Sequence, residues 1–163
     1  MATSQKNLSN YDSNKLPDAA GLKIGLVVSQ WNPEITSGLA QGATDTLIDL
    51  GVAKHEIIQW EVPGSFELIY GCQKMISHHQ ELDAIIAIGS VVEGETKHFD
   101  FVCSGVTQGI KDLNLLGIMP VVFCVLTDHN MDQARERSGG KHGNKGVEAA
   151  VAAIQMAVLG TEK

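Results

Sequence analysis

The sequence predicts a single α/β domain, a three-layer α/β/α sandwich around a four-stranded parallel sheet. Four short apolar runs alternate with longer segments of helical periodicity. The runs are apolar along most of their length rather than at every second residue, which is the pattern of strands buried on both faces. After residue 20 no linker or shift in composition divides the chain. Residues 1–20, rich in Ser, Asn, Asp and Lys, read as a polar N-terminal arm that a partner would order. Residues 21–163 read as the one domain.

The elements follow in order. Residues 22–29 (LKIGLVVS) form the first strand. Pro33 suits the first turn of a helix. Ile35, Leu39, Ala43 and Leu47 then recur every four residues until Gly51 stops the helix. A second strand spans 55–62, and Pro63-Gly64 opens a helix over 63–79. Residues 83–92 (DAIIAIGSVV) are the clearest buried strand. A helix over 98–116 ends at Gly117, and 120–127 (PVVFCVLT) is the fourth strand. Asn130 caps a short helix to Arg137. After a Gly-rich turn, an Ala-rich helix spans 143–159.

Composition removes several function classes. At 163 residues and 44% hydrophobic, the chain can build a core without disulfides or metal. Its 12 Lys and Arg against 19 Asp and Glu leave −7, which argues against nucleic acid as a partner. The three cysteines are odd in number, widely spaced and set in apolar stretches. They read as buried free thiols of a protein in a reducing cytoplasm. The longest uncharged stretch, 113–127, is short of the roughly 20 apolar residues a membrane span needs, and no signal-peptide core precedes it. No G-x-G, P-loop, H-E-x-x-H or zinc-spaced Cys/His cluster occurs, so no dinucleotide or metal site is expected. His129 and His142 have no evident partner, and His78-His79 read as a solvent-side helix end.

In parallel sheets, ligands bind beyond the carboxyl ends of the strands. The loops to search start at Gln30, Pro63, Ser90 and Asp128. Gly94-Glu95-Thr96-Lys97-His98 opens a helix there, where backbone N–H groups attract an anion. His98 reads either as a proton carrier or as a surface histidine in a capping turn. Arg135, Arg137, Lys141 and Lys145 bring four cations within eleven residues, interleaved with glycines. They read as a phosphate site or as a solvated basic turn. Trp31 is placed to stack on a flat ligand or to pack at the sheet rim, with Asn32 beside it. Ser65-Phe66-Glu67 falls in the first turn of the second helix, where Glu67 either complements the helix dipole or accepts ligand hydroxyls. Phe123, inside a strand, reads by default as core.

Taken together, these stretches resemble the lumazine synthases of the riboflavin pathway. The landmarks run in order from about residue 22 to 160. They are Trp31-Asn32, Val62-Pro63-Gly64-Ser65-Phe66-Glu67, Gly94-x-Thr96-x-His98-Phe99, Pro120-Val121-x-Phe123 and Arg137-x-Gly139-x-Lys141-x-Gly143-Asn144-Lys145-Gly146. The resemblance implies a flavodoxin-like sandwich and a transferase needing neither metal nor organic cofactor. It implies condensation of 5-amino-6-(D-ribitylamino)uracil with 3,4-dihydroxy-2-butanone 4-phosphate, giving 6,7-dimethyl-8-ribityllumazine, phosphate and water. By matching position, Trp31 stacks on the pyrimidine and Asn32, Ser65, Phe66 and Glu67 hold ring and ribityl chain. Ser90, Val91 and Val92 line the pyrimidine pocket. Glu95 and Thr96 bound the phosphate through backbone groups, and His98 moves protons. Phe123, Arg137 and Lys145 are implied to come from the neighbouring subunit of a homopentamer, with Arg137 on the phosphate. The absence of an insertion between Arg137 and Gly143 permits a 60-subunit shell. Association with riboflavin synthase is a further partner expectation.

This chain departs from the family pattern where many relatives carry Arg-Gly-Ala-Thr. Glu93 and Glu95 put acids beside a phosphate site. An inward Glu95 side chain would weaken phosphate binding, whereas an outward one would change little. A flavodoxin-like or receiver binding module is the alternative. Ser29-Gln30 lacks a receiver's acidic cluster, and Gln30-Trp31-Asn32-Pro33 is not a flavodoxin's Ser/Thr-rich loop. His98, Arg137 and Lys145 argue against a shell protein whose catalysis has decayed.

Overall fold

The computed structural model describes residues 7–160. The main sheet contains β1 (Ile24–Ser29), β2 (Ile57–Val62), β3 (Ala84–Val92) and β4 (Val121–Asp128). All four are parallel, in the order β2-β1-β3-β4. The helices are α1 (Pro33–Asp49), α2 (Leu68–His78), α3 (His98–Leu115), α4 (Met131–Arg137) and α5 (Lys145–Ala157). Between α4 and α5 lies a short antiparallel hairpin of β5 (Ser138–Gly140) and β6 (Gly143–Asn144).

The alternation of side chains along each strand divides the core into two layers. Ile24, Leu26, Val28, Ala84, Ile86 and Ile88 meet Ile35, Leu39, Ala43 and Leu47 of α1 and Ala149, Ala150, Ala153 and Ile154 of α5. Val27, Ile85, Ala87, Val121 and Val125 meet Leu68, Cys72 and Met75 of α2 and Val106, Ile110 and Leu113 of α3. This is the expected three-layer sandwich, with the fourfold apolar spacing of α1 on its buried face. Each fully buried aliphatic side chain in these layers contributes about 1.5–3 kcal/mol.

Local chemistry moves several boundaries. β1 starts at Ile24 because Leu22 closes a turn, its N–H donating to the Ala19 carbonyl at 3.1 Å. Lys54–Glu56 form a 3-10 turn, so β2 starts at Ile57. Pro63 and Gly64 do not open α2. Ser65, Phe66 and Glu67 form a turn before it, and the helix begins at Leu68. α5 begins at Lys145 because Asn144 caps it, accepting from the Gly146 N–H at 2.8 Å. Gly146 permits the closest approach of α5 to α1, since a Cβ there would collide with the Leu39 carbonyl.

The described part of the polar arm packs on its own domain. Leu8 is buried, and its N–H donates to the His142 carbonyl at 2.8 Å. The Ser9 hydroxyl accepts from the Asn144 N–H at 2.9 Å, and the Tyr11 hydroxyl donates to Asp49 at 2.7 Å. That bond and partial burial raise the Tyr11 pKa, keeping the phenol protonated. Tyr11→Phe is expected to lower unfolding stability by about 0.5–1 kcal/mol. Urea denaturation checks this, and an unchanged midpoint would show that the arm contributes nothing through this bond.

Candidate functional site

A cavity of about 690 Å³ opens beyond the carboxyl ends of β1 and β3. Its size suits a single small organic ligand. The β1–α1 loop supplies Trp31 and Asn32. Asn32 is the one non-glycine residue with positive φ among the described residues, at 58°, a left-handed conformation Asn tolerates better than most. Its side-chain amide donates to the Ser90 carbonyl at 3.1 Å, tying the loop to β3. Its own carbonyl accepts from Ile35 and Thr36 at the start of α1. Trp31 is held there 70% exposed at the cavity rim, not packed into the core.

The β2–α2 turn supplies Gly64, Ser65, Phe66 and Glu67. Phe66 lies over Gly105 of α3, where a Cβ would strike its ring at 2.6 Å. The floor is Ser90, Val91 and Val92 from the end of β3. Ser65 and Ser90 are buried, and neither hydroxyl has a hydrogen-bond partner among the described residues. Buried hydroxyls of this kind are normally satisfied, so these two are free to bond a polar group of a ligand in the cavity.

Gly94, Thr96 and His98 form the remaining polar wall. The Thr96 hydroxyl accepts from the His98 N–H at 3.4 Å, at the start of α3. Phe99, Phe101 and Val102 complete the lining. His98, Phe101 and Val102 fall at helical spacing on one face of α3, a signal present in the sequence but not drawn from it.

Four expected site residues stand outside this cavity. Glu95 is exposed and absent from its lining. Phe123 sits on β4, an edge strand, and is 36% exposed instead of being core. Arg137 closes α4, its Nη1 donating to the Gln133 carbonyl at 2.9 Å. Lys145 opens α5 and pairs with Glu148 at 2.8 Å. A single chain therefore brings His98 together with every residue expected to bind the ring or ribityl chain except Phe123, and leaves Phe123, Glu95 and the two expected cations elsewhere.

Comparison with known proteins decides the family. The model of the 6,7-dimethyl-8-ribityllumazine synthases matches residues 21–160. The 6,7-dimethyl-8-ribityllumazine synthase of Christiangramia forsetii is 64% identical over 98% of this chain and 95% of its own length. That of Flavobacterium johnsoniae is 62% identical, covering 98% and 83%. That of Porphyromonas gingivalis is 54% identical, covering 98% of each. The chain belongs to the 6,7-dimethyl-8-ribityllumazine synthase family.

Of the two acids expected beside the phosphate site, Glu93 has a partner of its own. The Glu93 carboxylate pairs with His129, and its N–H donates to the Asp128 carbonyl at 2.9 Å. Glu93 thus joins the loop after β3 to the end of β4 and does not line the cavity. His129, without an evident partner in the sequence, has one here, and His142 pairs with Glu136 at 3.3 Å. His78 and His79 flank Trp60 edge-on, with ring centroids 5.9 and 5.4 Å away. Asp128 is a buried carboxylate whose pKa is raised by burial against the lowering pull of Arg137 and His129.

Burial pushes the thiols of Cys72 and Cys124 up to about 12. Cys103 is only partly buried, contrary to expectation, and its pKa is also raised, by desolvation and by Asp100. None of them is activated as a thiolate nucleophile. Among the described residues no group of three or more His, Cys, Asp and Glu could hold a metal ion. None of the described helices is long and apolar enough to cross a membrane.

Proposed function

We propose that the chain is a cytoplasmic enzyme of riboflavin synthesis that condenses 5-amino-6-(D-ribitylamino)uracil with 3,4-dihydroxy-2-butanone 4-phosphate. The products are 6,7-dimethyl-8-ribityllumazine, phosphate and water. The observation that carries this reading is the cavity itself. It combines an exposed tryptophan for a flat ring, two unpartnered buried hydroxyls and a histidine at an anion-favouring helix start.

The 5-amino group adds to the ketone, and water leaves as the imine forms. A proton is removed beside the imine, phosphate departs, and the ring closes with loss of a second water. Trp31 stacks on the pyrimidine over Val91 and Val92, while Ser65 and Ser90 bond its edge. Glu67 accepts ribityl hydroxyls. His98 gives and takes protons. The backbone from Gly94 to Thr96 bounds the phosphate. Phe123, Arg137 and Lys145 are supplied by the adjacent subunit of a homopentamer, which explains why one chain keeps them out of its own cavity. Twelve such pentamers would make a 60-subunit shell able to associate with riboflavin synthase. Light scattering distinguishes the assemblies.

Mixing the purified protein with both substrates and following lumazine absorbance tests the reading. A rate no higher than the spontaneous one would sink it. Glu95→Gln is expected to change KM for the phosphate-bearing substrate within about twofold, because an outward, screened carboxylate acts weakly. A larger fall in KM would place that carboxylate against the phosphate.

A further inference from the structure

Asp128 ends β4 and is 6% exposed. Among the described residues its Oδ2 has no hydrogen-bond partner, and its Oδ1 lies 3.9 Å from Nη1 of Arg137. That distance is an ionic contact, too long for a directed hydrogen bond. The bond that orients the guanidinium goes instead to the Gln133 carbonyl. The two neighbours of Arg137 therefore act differently: Gln133 fixes direction, and Asp128 contributes charge. The nearby charged groups are already matched, Glu93 with His129 and Glu136 with His142. A buried carboxylate with an orphaned oxygen costs stability.

We infer that Asp128 competes with phosphate for the Arg137 guanidinium, weakening the grip of Arg137 and so favouring departure of the phosphate product. The inference rests on the reading of Arg137 as the phosphate ligand. While the phosphate site is empty, the carboxylate partly neutralises the guanidinium. With phosphate bound, two anions share one cation, and the complex is held less tightly than the arginine alone would hold it. Asp128 acts through Arg137 and touches no reacting atom, so it is a positioning residue in the electrostatic sense.

The probe is inorganic phosphate, titrated calorimetrically into the full assembly of wild type, Asp128→Asn, Arg137→Ala and the double variant. Asp128→Asn is expected to bind phosphate roughly tenfold more tightly, the scale of one partly screened charge contact near 4 Å. Phosphate should inhibit turnover more strongly by the same factor. KM for the phosphate-bearing substrate and kcat should fall together. Unchanged or weaker phosphate binding overturns the inference.

The double variant should bind like Arg137→Ala, and a separate effect of Asp128→Asn on that background also overturns it. If Arg137→Ala leaves phosphate binding intact, the reading of Arg137 fails first, independently of Asp128. Asp128→Ser serves as a second uncharged variant should the Asn side chain disturb folding. The groups facing this carboxylate are Arg137, His129 and, through His129, Glu93. All three persist in Asp128→Asn, as does the titration of phosphate itself. The affinity ratio between variant and wild type should therefore approach unity as falling pH protonates Asp128. A ratio independent of pH counts against a role for charge.

Discussion

Arg137→Ala is expected to lower kcat/KM for the phosphate-bearing substrate on the order of a hundredfold to a thousandfold, the scale for losing one preorganised charge partner. The loss should fall mainly on that substrate, with the ribitylaminouracil bound nearly as before. Fold damage should be limited, because among the described residues the Arg137 side chain makes a single hydrogen bond, to the Gln133 carbonyl, and its contact with the buried Asp128 is a 3.9 Å ionic one. Steady-state kinetics with each substrate varied in turn checks the split. Equal loss for both substrates would mean a collapsed site, and no loss would remove Arg137 from it. Sharing between subunits has its own signature. Assemblies reconstituted from a mixture of Arg137→Ala and His98→Ala chains should recover activity, because some cavities then combine an intact histidine with an intact arginine. No recovery would mean that each chain completes its own site.

His98→Ala should slow turnover roughly a hundredfold without abolishing it. Proton transfer by a placed side chain contributes about 10²–10⁴-fold, and the low end applies because the ring stands exposed at the mouth of the cavity. What remains is the advantage of holding two reactants together, which the other lining residues still supply. Added imidazole should restore part of the rate to His98→Ala and none to Arg137→Ala. Full activity of His98→Ala would show that the substrates or water carry the protons unaided.

Much of this site was legible in the sequence because its residues follow the strands they depend on. Trp31 and Asn32 come directly after β1, and Ser90, Val91 and Val92 end β3, so a correct strand assignment also locates the cavity. The run AIIAIGSVV is too uniformly apolar to be anything but interior. The β5–β6 hairpin was not legible, because Ser-Gly-Gly and Gly-Asn carry no strand propensity and pair only where α4 and α5 bring them together. The start of α2 at Leu68 is not legible, because Pro-Gly is compatible with a helix entry and with a turn. The exposure of Phe123 is not legible from its place inside a strand, where core is the default, since an aromatic on an edge strand has the same local pattern as one at the centre of a sheet. The pairing of Glu93 with His129 spans 36 residues, and only the parallel register of β3 and β4 brings it about.

The docking of the arm has a consequence for how the chain is built. Ser9 finds its partner 135 residues further on, at Asn144. Asn144 in turn caps α5 and donates to the carbonyls of Gly38 and Ser138. During synthesis, residues 7–9 leave the ribosome early, but the surface they bind does not exist until the chain beyond β4 has emerged and α4, the hairpin and α5 have formed. Translation proceeds at about 5–20 residues per second. The first of the described residues to be made must therefore wait several seconds, and they are among the last to reach their native place.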